Sequence, residues 1–248
     1  MQDFTKYNPN SQSAGVRQAA AVSSEALYFQ RIYFWMCAGL SLTAGTAFVL
    51  STSQGWLGFL FQNRWALWVA FGAQLGLVFY LSARINSLSP GAAKGLFLAY
   101  AALTGATFSV LLLVYPTYAF VKAFICTAGI YGAMALYGLV TKRSLQALGS
   151  FLFAGLVGLI LASLVNIFWA GSSQMDLVIC VLGVLIFAGL TAYDHQKLRV
   201  MRYSLESQGL GFEAVDQESR LVVMGALTLY LDFINIFLFL LRLFGRRD

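Results

Sequence analysis

Residues Leu221–Leu241 read LVVMGALTLYLDFINIFLFLL. At about 1.5 Å of rise per residue, this run as a helix matches the hydrocarbon thickness of a bilayer, roughly 30 Å. Near its middle stand an acid, Asp232, and one turn later an amide, Asn235. A carboxylate at the centre of a spanning helix costs roughly 2.5–3.5 kcal/mol on insertion scales. A second one, Asp194, closes the run Gly189-Leu190-Thr191-Ala192-Tyr193-Asp194 at the end of the preceding apolar segment. Acids kept at that expense are candidate functional residues, and the rest of the chain reads as their scaffold.

The composition around this stretch agrees. Of 248 residues, 59% are hydrophobic and only 10% charged, with a mean hydropathy of +0.74; a soluble domain carries about 25% charged residues. The net charge of +6 comes from Lys and Arg in short connections between apolar runs. That is how topology signals are distributed, and it argues against nucleic acid as a partner. Cys37, Cys126 and Cys180 lie within apolar runs without metal-ligand or CxxC spacing, so a disulfide framework is not expected. One histidine, His195, rules out bis-histidine and histidine-rich metal sites. No tightly bound cofactor is expected.

Seven apolar runs follow one another: Ile32 to Leu50, Trp65 to Ser82, Gly95 to Val114, Tyr118 to Val140, Leu148 to Phe168, Leu177 to Tyr193, and Leu221 to Leu241. Spanning segments must satisfy their own backbone groups, and these lack the alternation of barrel strands, so helices are predicted. The fold class is an all-α membrane protein, with residues 1–26 a disordered cytoplasmic tail, 27–244 a seven-helix transmembrane domain, and 245–248 a short basic tail. The start lacks the compact basic and apolar layout of a cleavable signal. Tyr28, Trp56, Trp65, Tyr115, Tyr118 and Trp169 fall near span ends, where interfacial aromatics belong. The third and fourth spans are joined almost directly through Pro116 and Thr117, which predicts an antiparallel hairpin. The Gly72/Gly76 pair and the Gly155/Gly158 pair predict close helix packing.

Placing the N-terminus in the cytoplasm puts eleven of the 16 Lys and Arg residues inside, among them Arg84, Lys142, Arg143 and Lys197. That satisfies the positive-inside rule. The basic tail then lies outside, so the last segment either crosses fully against the rule or re-enters; a full crossing is favoured. The connection from His195 to Arg220 carries both signs of charge, as a solvated helical extension and loop would.

Arg84 is 19 residues past Trp65 and Asp194 is 17 past Leu177, so both lie at similar depth near the cytoplasmic end. An Arg84–Asp194 ion pair is thus geometrically accessible if the second and sixth spans are neighbours. Asp232 lies about 16 Å from the inner end of the last span, roughly 10 Å deeper than Asp194. Tilt, or a sixth span set deeper, would close that gap. If the carboxylates meet, they cannot both ionise freely and they titrate as a unit. Carboxylate and carbonyl oxygens are also what Ca²⁺ prefers, making Asp194 and Asp232 its candidate ligands and Asn235 a polar companion.

Tyr193-Asp194-His195-Gln196-Lys197, then Leu229-Tyr230-Leu231-Asp232-Phe233-Ile234-Asn235-Ile236-Phe237-Leu238 with Leu241-Arg242, resembles the bacterial branch of the transmembrane Bax inhibitor motif family. The likeness covers about Gln30 to Phe244. It implies six helices around a central seventh, in the bacterial inner membrane. It also implies a pH-sensitive Ca²⁺ leak whose di-aspartyl sensor falls on Asp194 and Asp232, with Arg84 as the arginine of the closed form. His195 and the long connection before the last span depart from the family pattern. Relatives are also linked to restraint of a membrane-bound ATP-dependent protease.

Two functions follow as expectations. The first is a passive Ca²⁺ pathway, with Ca²⁺ and H⁺ as its ligands, gated by Asp194, Asp232 and Arg84. Gln74, Thr104, Thr107 and Asn166 either line the route or bond between helices. The second is a membrane-embedded regulator of a protease or other quality-control complex. An enzyme is not expected. Tyr193-Asp194 resembles intramembrane aspartyl proteases, but Tyr230-Leu231-Asp232 lacks their Gly-x-Gly-Asp, and no Pro-Ala-Leu element follows.

Overall fold

The computed structural model describes residues 9–63, 65–206 and 212–245. Its helices are α1 (Pro9–Thr52), α2 (Gln54–Gln62), α3 (Trp65–Arg84), α4 (Pro90–Val114), α5 (Thr117–Val140), α6 (Gln146–Val165), α7 (Ser173–Glu206) and α8 (Phe212–Phe244). A π-helical turn, Asn166–Ala170, extends α6 and ends at Gly171, whose φ of 52° is the left-handed conformation that glycine adopts freely. No strand occurs among the described residues. Seven helices are long and apolar enough to cross a membrane: α1 from Glu25 onward and α3 to α8. The chain is an all-α, seven-helix membrane bundle.

Local chemistry marks the boundaries. Ser89 caps α4 by accepting the Ala92 amide at 3.2 Å, with Pro90 in the first turn, where its missing N–H is harmless. Ser53 accepts the Trp56 amide to start α2, a short helix that hydropathy alone did not reveal. The Trp56 indole then donates to Ser109 at 3.0 Å, tying α2 to α4.

The core is built on α8. Val223, Leu229, Tyr230, Ile236 and Leu241 are fully buried along it, and α7, α5, α1 and α4 pack around it. Phe97 and Tyr100 of α4 meet the Tyr230 ring edge-on, with centroids 5.8 Å apart in each case, a favoured aromatic geometry. Thr43 of α1 donates to the Ala101 carbonyl at 2.9 Å, so the Tyr230 hydroxyl donates to Thr43 at 2.7 Å. Three helices are thereby joined through one buried chain of bonds. The last helix is central, but the ring around it is incomplete: α3 is held chiefly by α4, and α6 chiefly by α7.

Several expectations change. From Pro9 onward the expected disordered tail is helix, continuous with the first span; residues 1–8 lie outside the described ones. Of the basic tail expected at 245–248, only Gly245 is described. The last span is one continuous helix whose Arg242 pairs with Asp176 near the start of α7, so it crosses as far as its neighbour and does not re-enter. Tyr28 is fully buried, with the Arg202 guanidinium 5.6 Å over its ring, and is a core residue rather than an interfacial anchor. Gly72 and Gly76 face open space, because α3 turns Gln74 and Leu81 inward instead. Gly155 does pack, against Ile186 of α7, whereas Gly158 does not. The α4–α5 turn is as tight as expected, but the two helices diverge from it, α4 packing on α1 and α5 on α7 and α8.

Candidate functional site

Asp194 and Asp232 are brought together by one antiparallel register. Along α7 and α8, Gly183 faces Phe239, Asp194 faces Asp232, and Leu198 faces Gly225. The two carboxyl groups lie within hydrogen-bonding reach of each other. The depth gap expected between them disappears because α7 does not stop near Tyr193. It continues as helix to Glu206, so Asp194 lies well inside the span.

The backbone of α7 is admitted deeply just before the acid. A side chain at Gly138 of α5 would collide with the Ala192 carbonyl, and one at Gly149 of α6 with the Tyr193 ring. These two glycines, neither in a recognisable motif, allow the approach that aims Asp194 at α8.

Asp232 is 4% exposed, and its Oδ2 is buried without a hydrogen-bond donor. Asp194 is half-buried. Two carboxylates offer each other only acceptor atoms, so a hydrogen bond between them requires a proton held in common. Both acids face a cleft of about 890 Å³. Its walls come from Val78 and Ser82 of α3, from α6, and from α7 and α8, and it occupies the gap left where α3 and α6 stand away from α8.

The other expected members are placed differently. Arg84 is exposed at the end of α3, and no ion pair joins it to Asp194 among the described residues. The expected contact is absent because α3 leans on α4, on the far side of the cleft from α7. Asn235 lines the cleft, but its amide nitrogen donates to its own helix at the Leu231 carbonyl, 2.8 Å away. The cation in electrostatic contact with Asp194 is instead Lys197, which also lines the cleft and lies over the Tyr193 ring. Its i, i+3 spacing from Asp194 was the available signal.

Behind the pair, His195 is fully buried in an aromatic cage. Its Nδ1 lies 2.6 Å from the Thr191 carbonyl and its Nε2 lies 3.0 Å from the Tyr33 hydroxyl. Phe29 stacks on the ring, and Tyr131 meets it edge-on at 5.7 Å. Tyr131 also meets Phe233 edge-on at 5.5 Å, linking the cage to the residue after Asp232.

Of the polar residues expected on a route, Gln74 donates to Thr107 at 3.2 Å and to the Leu103 carbonyl at 3.3 Å. Thr104 donates to the Tyr100 carbonyl, and Asn166 ties to the backbone of Ser172. None of the four lines the acid-pair cleft. Among the described residues, no third acidic, His or Cys side chain joins the two aspartates in a metal-binding group.

The family model described as "Inhibitor of apoptosis-promoting Bax1" matches residues 25–248. The "Inner membrane protein YbhL" of Escherichia coli strain K12 is 45% identical over 220 residues, covering 89% of this chain and 92% of that protein. An uncharacterized protein of Deinococcus radiodurans is 44% identical over 237 residues, covering 96% and 98%. An uncharacterized protein of Rickettsia prowazekii is 36% identical over 220 residues, covering 89% of each. With a model match over nearly the whole chain, relatives of this closeness and a seven-helix bundle, the protein belongs to the Bax inhibitor family.

Proposed function

We propose that this protein is a pH-gated, non-enzymatic leak for Ca²⁺ in the bacterial cytoplasmic membrane, with its N-terminus inside. One observation carries the reading: Asp194 and Asp232 face each other on the wall of a large cleft, near mid-span, with a single proton able to bridge them. Apolar side chains of matching shape would hold α7 to α8 without the desolvation cost, so a packing role alone gives no reason for acids there.

The proposed cycle follows from competition for Asp194. With a shared proton, Asp194 is engaged by Asp232 and Arg84 is left free. When the proton leaves, two ionised carboxylates repel and Asp194 becomes the natural partner of Arg84. Movement of α3 across the cleft would then bring Arg84 to Asp194 and close the path from that side. The leak is therefore open at lower pH and shut at higher pH.

Ca²⁺ takes six to eight oxygen ligands. Two carboxylates supply four at most, and Asn235 on the same wall adds a carbonyl. Water must complete the shell, which suits an ion in transit better than a resident one. The Escherichia coli relative is described as an inner membrane protein, and the same membrane is proposed here.

The test is Ca²⁺ entry into dye-loaded liposomes holding the full chain, measured across pH. Wild type is expected to slow as pH rises, and Asp194→Asn and Asp232→Asn are each expected to flatten that response. Unchanged flux and pH response in both variants would sink the proposal.

A further inference from the structure

A second cavity, of about 480 Å³, opens between α1 and α5. Its floor is Phe233 and Phe237 of α8, and its back wall is Phe108 and Leu112 of α4. It exists because α4 and α5 diverge from their turn, so α5 leans on α7 and α8 while α1 stays with α4. Among the described residues Thr43 is the only polar side chain on its lining, and that hydroxyl is already bonded to Ala101 and Tyr230. Water needs two to four polar partners to settle in such a space. Hydrated ions and polar metabolites are excluded on the same ground.

The rim says what fills it. Phe48 and Ile125 are 67% and 64% exposed, on two helices that cross the membrane, so the mouth opens onto hydrocarbon. The volume falls in the ordinary range of ligand pockets, roughly 300–1,000 Å³. Directly beside the rim residue Val121 stands Lys122, whose ammonium lies 5.5 Å from the Tyr118 ring, one turn back toward the start of α5. A lysine in this position lays its stem along the apolar surface and delivers its charge to the headgroup level. An apolar slot with one such cation on its rim helix, outside the lining itself, complements a molecule with a hydrocarbon tail and an anionic head.

We propose that the α1–α5 fissure is a binding site for one anionic phospholipid of the leaflet at the α4–α5 turn, its acyl chain lying over Phe233 and Phe237 and its phosphate at Lys122. The site is separate from the acid-pair cleft, and its existence does not depend on the leak. Its floor does reach the neighbourhood of Asp232, because Phe233 follows that acid directly.

The full chain is placed in vesicles of phosphatidylethanolamine and phosphatidylglycerol, a fraction of the latter carrying a photoreactive diazirine near the acyl terminus. After irradiation, labelled peptides are mapped by mass spectrometry. Label is expected to concentrate on the segments around Ala44 to Phe48 and Val121 to Ile125. Ala44→Trp and Val121→Trp each fill the mouth from an exposed position, and losing burial of only two methylenes lowers occupancy by about tenfold. Lys122→Gln leaves the slot intact and is expected to abolish the preference for phosphatidylglycerol over a phosphatidylcholine probe with the same tail. Label spread evenly over all lipid-facing helices, label unchanged in both tryptophan variants, or crosslinks joining two copies of the chain would each overturn the site.

Discussion

The Tyr33 hydroxyl donates its proton to Nε2 of His195, 3.0 Å away, across the α1–α7 interface. This direction follows from the other ring nitrogen. Nδ1 lies 2.6 Å from the Thr191 carbonyl, which only accepts, so Nδ1 carries the hydrogen and Nε2 is the acceptor of a neutral imidazole. With Phe29 and Tyr131 against the ring, the imidazole fixes the first span to the helix that carries Asp194.

Tyr33→Phe removes that donor and strands a buried acceptor, a change worth about 1–3 kcal/mol. A thermal melt of the purified protein in detergent is expected to show a clear drop in midpoint. Tyr33→Phe combined with His195→Phe removes both partners and is expected to recover part of the loss. A double variant that is additively worse would show that the bond is not what holds the interface.

Glycines on the same bundle should behave oppositely. Gly138→Val drives a side chain into the backbone of Ala192, an overpacking worth about 1–3 kcal/mol. Gly72→Val meets no neighbour and is expected to be neutral or slightly stabilising, because valine is a better helix former than glycine by a few tenths of a kcal/mol or so. Yield of folded protein and melting midpoint should separate the two variants.

Removing Arg84 tests gating apart from folding. The side chain is exposed and makes no ion pair among the described residues, so Arg84→Ala is expected to shift stability by no more than about 0.5 kcal/mol. If the arginine closes the leak, the variant keeps conducting at the higher pH where wild type is shut. Dye-loaded liposomes read this directly, and a wild-type pH profile would remove Arg84 from the gate.

The Arg242–Asp176 pair makes a more modest prediction. Its side chains are 38% and 25% exposed, so solvent screening keeps its contribution to at most about 1 kcal/mol. Asp176→Asn is expected to lower the melting midpoint slightly in low salt and hardly at all in high salt. A large, salt-independent loss would mean that the contact is shielded from solvent.

How much could be read beforehand differs by level. All seven spans were legible, since each needs only a run of apolar residues long enough to cross hydrocarbon, a property of adjacent positions in the chain. The two acids were legible for the same reason, each standing out against its own segment. The short α2 and the helical stretch before Glu25 were not, because neither carries a long apolar run.

Partnership was a different matter. Arg84 and Asp194 sit at matching distances into their helices, yet α3 leans on α4 and leaves the arginine across an open cleft. Asp194 and Asp232 looked mismatched in depth, yet they meet. Hydropathy reports where a helix leaves hydrocarbon and is blind to a helix that simply continues into polar residues, as α7 does to Glu206.

The amino-acid sequence alone determined the membrane class, the number of crossings and which charged residues are costly enough to need a reason, because these depend on transfer energies summed locally along the chain. Only the tertiary structure decided which helices touch, that Gly138 and Gly149 admit α7 to the register joining the aspartates, and that two gaps open beside α8. Those outcomes depend on how side chains from distant segments fill space together, and no single segment encodes that.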